Sequence, residues 1–458
     1  AEQSPESWWQ FVQQAIAKIH AAKKYNPQDI AAIGIAYQMH GLVLVDKEQN
    51  VLRNSIIWCD SRAVPYGDAA FKAIGEEKSL SHLLNSPGNF TAAKLAWVKA
   101  NEPQVYEKID KLMLPGDFIA MKLTGNITIS ASSLSEGIFW DFKKNALSKD
   151  VMNYFGFDES IIPTVQNVFS EHGFLTNKVA EALQLKPGIP VTYKAGDQPN
   201  NALSLNVFEP GEVAATAGTS GVIYAVSDSL AYDKQSRVNS FAHVNYKTPS
   251  PQEEGTGVEV IELRIGVLLC INGTGILNSW LKKTAGANKT YSELNDEAAK
   301  IKPGSGGLFI LPFGNGVERM LNNKLIGSHI HNIDLNKHTA AHLYRAGQEG
   351  IAYAFRYGLD IMRENNIHPI VIRAGKANMF LSHVFAEAFV NTTNTPVELY
   401  NSDGSVGAAL GAGIGAKIFT NTKEAFTKMQ CLQIIEPVNS KVYNELYGEW
   451  KRCLEKAI

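Results

Sequence analysis

Several things are scarce in this chain. Its four cysteines, Cys59, Cys270, Cys431 and Cys453, stand far apart in 458 residues, with no Cys-x-x-Cys spacing. That excludes a disulfide scaffold and a thiolate zinc or redox motif, and it points to reduced thiols in a cytoplasmic protein. No apolar run approaches the roughly 18 residues that a membrane-spanning helix needs. The first residues, AEQSPESWWQ, do not read as a secretory leader. Neither sign of charge dominates: 43 Lys+Arg against 45 Asp+Glu leave a net charge of −2. This excludes the basic footprint of a dedicated nucleic-acid binder and the acidic excess of a disordered protein. The common signatures GxxxxGK[ST], GxSxG and HExxH are absent, and no GxGxxG follows a first strand. If nucleotide phosphates are handled here, another device handles them.

What is present is globular: 45% hydrophobic and 19% charged residues, in a chain long enough for large buried cores. Ser7 to Ala22 carries apolar residues at helical spacing, and Thr91 to Ala100 does the same before Pro103. IAAIGIAYQMHGLVLVD, Ile30 to Asp46, reads as two strands joined by a turn at Gly41. Gly188 to Leu203 reads as a buried strand running into a polar loop, and Val213 to Val226 as two strands around a tight glycine turn. Leu268 to Lys283 follows as strand, glycine turn and helix. Thr339 to Asn365 is predicted as a long helix with Arg345 and Glu349 paired on it, and Ile370 to Gly375 as a strand. Gly407, Gly411 and Gly415 recur every fourth residue, so one helix face is bare and suited to tight packing. Alternating strands and helices predict an α/β protein with covered sheets. The turn around FEPG divides the chain into 1–206 and 207–458. Thr248 to Leu263 is expected to form a surface excursion.

Asp197, in KAGDQPNNAL, is the most informative residue. A carboxylate at a strand end lies where α/β folds bind ligands, and it can take a proton from a hydroxyl. The amides Gln198, Asn200 and Asn201 beside it can orient a polyol. The plainer alternative is a turn Asp capping the next helix. In ATAGTSGV, Gly218, Thr219 and Ser220 can aim successive N–H groups and two hydroxyls at a phosphate, or simply form a hairpin turn. Gln38, Met39 and His40 precede IIWCDSR, where Trp58 can pack on a sugar face and Asp60 and Arg62 can pair to fix the loop. Core or turn roles are the alternatives for His40 and Trp58. Gly275, Gly375 and Asn378 lie at strand ends where a ligand can approach the backbone. His329, His331, His338 and His342 lack a third ligand at metal spacing and read as structural. No residue is assigned to a metal.

QMHGLV, IIWCDSR, PGNFTAAKLAWVKANEP, LPGDFIAMKLTG, KAGDQPNNAL, ATAGTSG, LYRAGQEGIAYAFRYGLDIMR and IRAGKANMFL occur in this order. Together they resemble the FGGY family of carbohydrate kinases, most of all its members acting on D-xylulose. The resemblance implies an actin/hexokinase-like (ribonuclease H-like) fold of two domains around a cleft. It implies ATP and Mg²⁺ as cofactors, a sugar as substrate, and a homodimer as the family's habit. By position, Asp197 matches the catalytic base. Met39 and His40 match the sugar-contacting segment, with Gln38, Trp58, Gln198 and Asn200 around it. Gly218, Thr219 and Ser220 match a phosphate turn, and Gly275, Gly375 and Asn378 the surroundings of adenosine. Three departures stand out. The family opens with an Asp-x-Gly-Thr/Ser hairpin that these residues do not contain, so either a longer chain or a degenerate member is expected. Cys59 replaces an amide, and Lys376 interrupts a glycine run. Ribulose, fuculose or glycerol as substrate, or a sugar-binding protein without catalysis, are the alternatives.

Overall fold

The computed structural model describes residues 1–247, 263–286 and 288–458. The expected excursion at 248–263 therefore lies outside the described residues, Leu263 excepted. After a two-residue strand at Glu2–Gln3, which pairs with Ser55–Ile56, come helix α1 (Pro5–Ala21), strand β1 (Ile33–Tyr37) and β2 (Val43–Val45). These two strands were expected to join through a turn, but they do not pair with each other. His40 adopts a left-handed φ of +63°, and the turn carries the chain out of the first sheet. As a result β2 pairs antiparallel with β3 (Lys111–Met113), while β1 pairs in parallel with β4 (Val191–Gly196). Between them lie α2 (Thr91–Asn101), α3 (Pro115–Thr124) and the short α4 (Ala131–Glu136). Ile35, Tyr37, Leu114, Leu123 and Val191 form a buried cluster between the β1–β4 pair and α3. The polar run after β4 is not a loop: Asp197 opens helix α5 (Asp197–Ser204).

The second half is built on one seven-stranded mixed sheet. Its strands are β5 (Glu212–Ala217), β6 (Gly221–Ser227), β7 (Asn239–Ala242), β8 (Ile265–Ile271), β9 (Val371–Gly375), β10 (Val397–Tyr400) and β11 (Cys431–Ile435), in the order β7-β8-β6-β5-β9-β10-β11. β5 to β8 pair antiparallel, while β9 and β10 add in parallel to β5. Helix α6 (Gly275–Ala285) follows β8, and α7 (Ala340–Glu364) buries most of its length. The Arg345–Glu349 pair is buried on α7 at 2.7 Å.

The two halves interlock. Helix α8 (Gly404–Gly415), which follows β10, packs on β1 and β4 of the first half, and Thr192 Oγ1 donates to the Ala412 carbonyl at 2.8 Å. The glycine row makes this approach possible. A Cβ at Gly411 would stand 2.6 Å from the Tyr193 ring, and one at Gly34 would overlap the Ala408 carbonyl. In return, side chains of the first half hold edge strand β7. Asn85 Nδ2 donates to the Ser240 carbonyl at 2.6 Å, Ser132 Oγ to the Ala242 carbonyl at 2.8 Å, and Ser135 Oγ accepts from the Ala242 N–H at 2.9 Å. The last helix, α9 (Ser440–Ala457), buries Trp450. Among the described residues no helix is long and apolar enough to cross a membrane.

Candidate active site

Because β1 and β4 run parallel with Tyr37 beside Gly196, the segments that leave them, Gln38–Gly41 and Asp197, emerge together at one sheet end. This is where parallel sheets bind ligands. Gln198 Nε2 donates to Asp197 Oδ2 at 2.9 Å, and the backbone N–H groups of Met39 and Gln198 also face the carboxylate. Burial still wins over these donors and raises the proton affinity of Asp197 above that of an ordinary aspartate. The carboxyl is thus a better base than a surface aspartate.

His40 occupies a backbone conformation that side chains rarely adopt, a form of strain that collects at functional sites. Its ring lies between Phe90, at 4.8 Å, and Phe241 of β7, at 5.5 Å, so it stands where the halves meet. Its Nδ1 is 2.9 Å from the Glu136 carbonyl. A carbonyl only accepts, so Nδ1 carries the hydrogen and Nε2 remains an acceptor. Burial, with Lys94 nearby, brings the imidazole down to about 3, so it is neutral. Buried Lys94 donates to the His40 carbonyl at 2.7 Å and is itself lowered to about 8 by burial.

The other expected sugar residues divide. Gln198 joins Asp197. Gln38 sits next to Met39 but donates to Gln3 Oε1 at 2.9 Å. Trp58 is 60% exposed on its loop, which Arg62 holds by pairing with Asp60 at 2.8 and 2.9 Å. Asn200 is fully buried. It accepts from the Tyr193 hydroxyl at 3.1 Å and donates to the Gly404 carbonyl at 2.8 Å. These bonds tie α5 to α8 and leave the amide turned to protein rather than to a ligand.

On the facing side, Gly218, Thr219, Gly275 and Asn378 line one cavity of about 480 Å³, with Ile276, Asn278 and Tyr291. The volume falls in the range of small-molecule sites. Gly375 and Asn378 line an adjoining cavity of about 210 Å³. Ser220 is on the same turn but lines neither. The start of α6 closes on this turn: Gly275 N–H donates to the Gly218 carbonyl at 2.9 Å and Ile276 N–H to that of Thr219 at 3.1 Å. A Cβ at Gly275 would overlap the Gly218 carbonyl, so only glycine permits the contact. Asn378 has a φ of +52°, which suits asparagine.

Sequence reasoning missed several neighbours. Cys270, exposed on β8, has Arg319, Asp197 and Glu318 as charged neighbours. Glu318 accepts the Asn272 N–H at 3.0 Å and is raised to about 7 by burial. The signal was a charged pair, Glu318–Arg319, inside the otherwise apolar and glycine-rich FILPFGNGVERML. Glu136 and Lys94 gave no such signal. Among the described residues no three His, Cys, Asp or Glu side chains gather as a metal cluster, and the four histidines at 329–342 form two ring pairs instead.

Comparison with known proteins identifies the family. Residues 1–204 match the FGGY family of carbohydrate kinases, N-terminal domain, and residues 213–416 match its C-terminal domain. The chain is 27% identical to a xylulose kinase of Escherichia coli, over 94% of this chain and 84% of that one. It is 28% identical to a xylulose kinase of Staphylococcus xylosus, over 98% and 90%. In fold it is similar to a xylulose kinase from Rhodospirillum rubrum, with a TM-score of 0.84, 24% identity, and 100% of this chain and 90% of that chain covered. It is similar as well to a gluconate kinase from Lactobacillus acidophilus, with a TM-score of 0.86, 19% identity, and 100% of this chain and 89% of that chain covered, and to a glycerol kinase from Plasmodium falciparum, with a TM-score of 0.86, 19% identity, and 100% and 90% covered. The chain belongs to the FGGY family of carbohydrate kinases and is a sugar kinase with the actin/hexokinase-like fold.

Proposed function

We propose that the chain transfers the γ-phosphoryl group of ATP to D-xylulose, giving D-xylulose 5-phosphate and ADP, with Asp197 as the general base. Residues 1–206 form the sugar-binding half and 207–458 the nucleotide-binding half of a cytoplasmic enzyme. The observation that carries this reading is the emergence of Asp197 and Met39–His40 from paired parallel strands. The names of the full-length relatives supply the sugar. Asp197 accepts the proton of the sugar hydroxyl as its oxygen bonds to phosphorus and the bond to the ADP oxygen breaks. His40 offers Nε2 as an acceptor that orients a second hydroxyl. The turn at Gly218 and Thr219, with Gly275 and Asn378, holds the nucleotide. Mg²⁺ shared with phosphates needs only one or two protein carboxylates, and when bound it would neutralise charge on the phosphates.

ADP release with Mg-ATP across pentuloses, polyols, hexoses and gluconate tests the reading, with Asp197→Asn beside the parent. Turnover selective for D-xylulose and reduced at least about 100-fold in the variant is expected. Preference for gluconate or glycerol, which the fold neighbours make the specific rivals, overturns the substrate. Turnover that survives the substitution overturns the base.

A further inference from the structure

Phosphoryl transfer as described leaves one buried carboxyl beside the reacting groups without a task. Glu136 ends α4 and is 2% exposed. Its Oε1 accepts the Tyr37 hydroxyl at 2.7 Å, and that hydroxyl also stands 2.9 Å from Ser133 Oγ. Its Oε2 is buried and has no hydrogen-bond partner. This free oxygen lies against Gly196, the residue before Asp197: a Cβ there would stand 3.1 Å from it and 2.6 Å from Met39 Cγ. The backbone carbonyl of the same Glu136 receives His40 Nδ1–H. One residue therefore touches both the strand end that carries the base and the ring that faces the sugar.

The surroundings of Glu136 also decide its charge. Tyr37 reaches it from β1. Asp117 lies nearby on α3 and is itself paired with Lys194 at 2.6 Å. Asp197 approaches from α5, Lys94 from α2 and Tyr224 from β6. His40, held by the Glu136 carbonyl, is neutral. Among the described residues no lysine or arginine forms an ion pair with Glu136. A buried carboxylate with only the Tyr37 hydroxyl and the His40 backbone N–H as donors, a second carboxylate beside it and no paired cation is costly, and a proton removes that cost. Burial and the Asp197 charge both act in that direction. Two neighbouring carboxyls in unlike surroundings divide the roles of charged base and neutral acid.

We propose that Glu136 is a positioning residue of the sugar site, present as the neutral acid, which with Tyr37 wedges beneath Gly196 and Met39 and so fixes Asp197 and His40 relative to each other. The proposal deepens the sugar-kinase reading and rests on it for its kinetic readout. Steady-state kinetics of Glu136→Ala, Glu136→Asp, Glu136→Gln and Tyr37→Phe, on whichever sugar the parent turns over best, test it. Alanine and aspartate are expected to raise the KM for sugar about tenfold and to lower kcat as well, because the sugar-facing ring and the base both lose their seat. Glutamine, neutral and of the right length, brings KM back to within about threefold of the parent, which aspartate, charged and short, does not. Tyr37→Phe raises KM in the same direction and stands in for alanine if that variant fails to fold. Independently of activity, infrared difference spectra at neutral pH are expected to show an un-ionised carboxyl stretch in the parent that is lost in Glu136→Gln. Aspartate that rescues better than glutamine, an alanine variant with the parent's KM, or no carboxyl band lost from the spectrum overturns the proposal. If the parent phosphorylates no sugar, the kinase reading falls, and the infrared measurement still decides the state of Glu136.

Discussion

As the proposed general base, Asp197 meets two opposing demands. It must be buried enough to hold a proton more tightly than a surface aspartate, and ionised when a hydroxyl arrives. The first demand costs stability, and the sign follows from linkage. An aspartate in the unfolded chain titrates near about 3.9, and burial places the folded value above that. As pH rises through the unfolded and then the folded value, the native state must give up a proton it holds more tightly. Stability is therefore lost over that window and stays lost at neutral pH. Asp197→Asn is expected to melt at a higher temperature than the parent at pH 7, with the difference closing below about pH 4, while kcat falls by about 10²–10⁴-fold. Melting curves across pH check the first part. A variant less stable than the parent at pH 7 would show that the carboxylate is not under strain. Asp197 was legible in the sequence because GDQPNN gathers a carboxylate and amides in one short run. Glu136 was not, because SSLSEG looks like a capped helix end, and only the fold brings it to a residue about sixty positions later.

Among the elements, periodicity was easier to read than pairing. The helices at 5–21, 91–101 and 340–364 and the hairpin at 212–227 follow from local spacing, which acts within a few residues. The partners of β1 and β2 do not, because strand pairing is decided by contacts about 160 and 70 residues away in sequence. The glycine row of α8 stands between these cases: its spacing told that one face was bare but not what would fill it. That face makes glycine substitutions sensitive to place. In Gly411→Ala the new methyl would stand 2.6 Å from the Tyr193 ring, inside a packed interface. A loss of about 1–3 kcal/mol is expected. Gly448 lies in α9 with nothing within 4 Å of a new methyl. There Gly448→Ala is expected to add about 0.5–1 kcal/mol, because alanine loses less backbone freedom in a helix. Urea midpoints of the two variants check both signs, and a destabilised Gly448→Ala would show a contact that the packing lacks.

At the scale of the whole molecule, the halves are separate in sequence but not in packing. Helix α8 lays Ala408 and Leu410 into a cluster with Tyr193, Ala195 and Leu203 of the first half. Edge strand β7 is in turn capped by Asn85, Ser132 and Ser135. A sheet face without its cover exposes apolar surface, and a strand edge without its cap exposes unpaired N–H and C=O groups. Each half therefore completes the other, and the geometry of the proposed sugar site depends on the same junction, since His40 packs on Phe241 across it. Residues 1–206 made alone are expected to bind a hydrophobic dye and melt well below the full chain. Mixing them with 207–458 should restore both the melting transition and turnover. The full chain should unfold in a single transition, the same by near-ultraviolet and far-ultraviolet circular dichroism. Nucleotide at about 100 times its Kd should shift that whole transition, adding about 2.7 kcal/mol. Two resolved transitions, only one of them moved by nucleotide, would mean that α8 and β7 lean on their neighbours without being held by them.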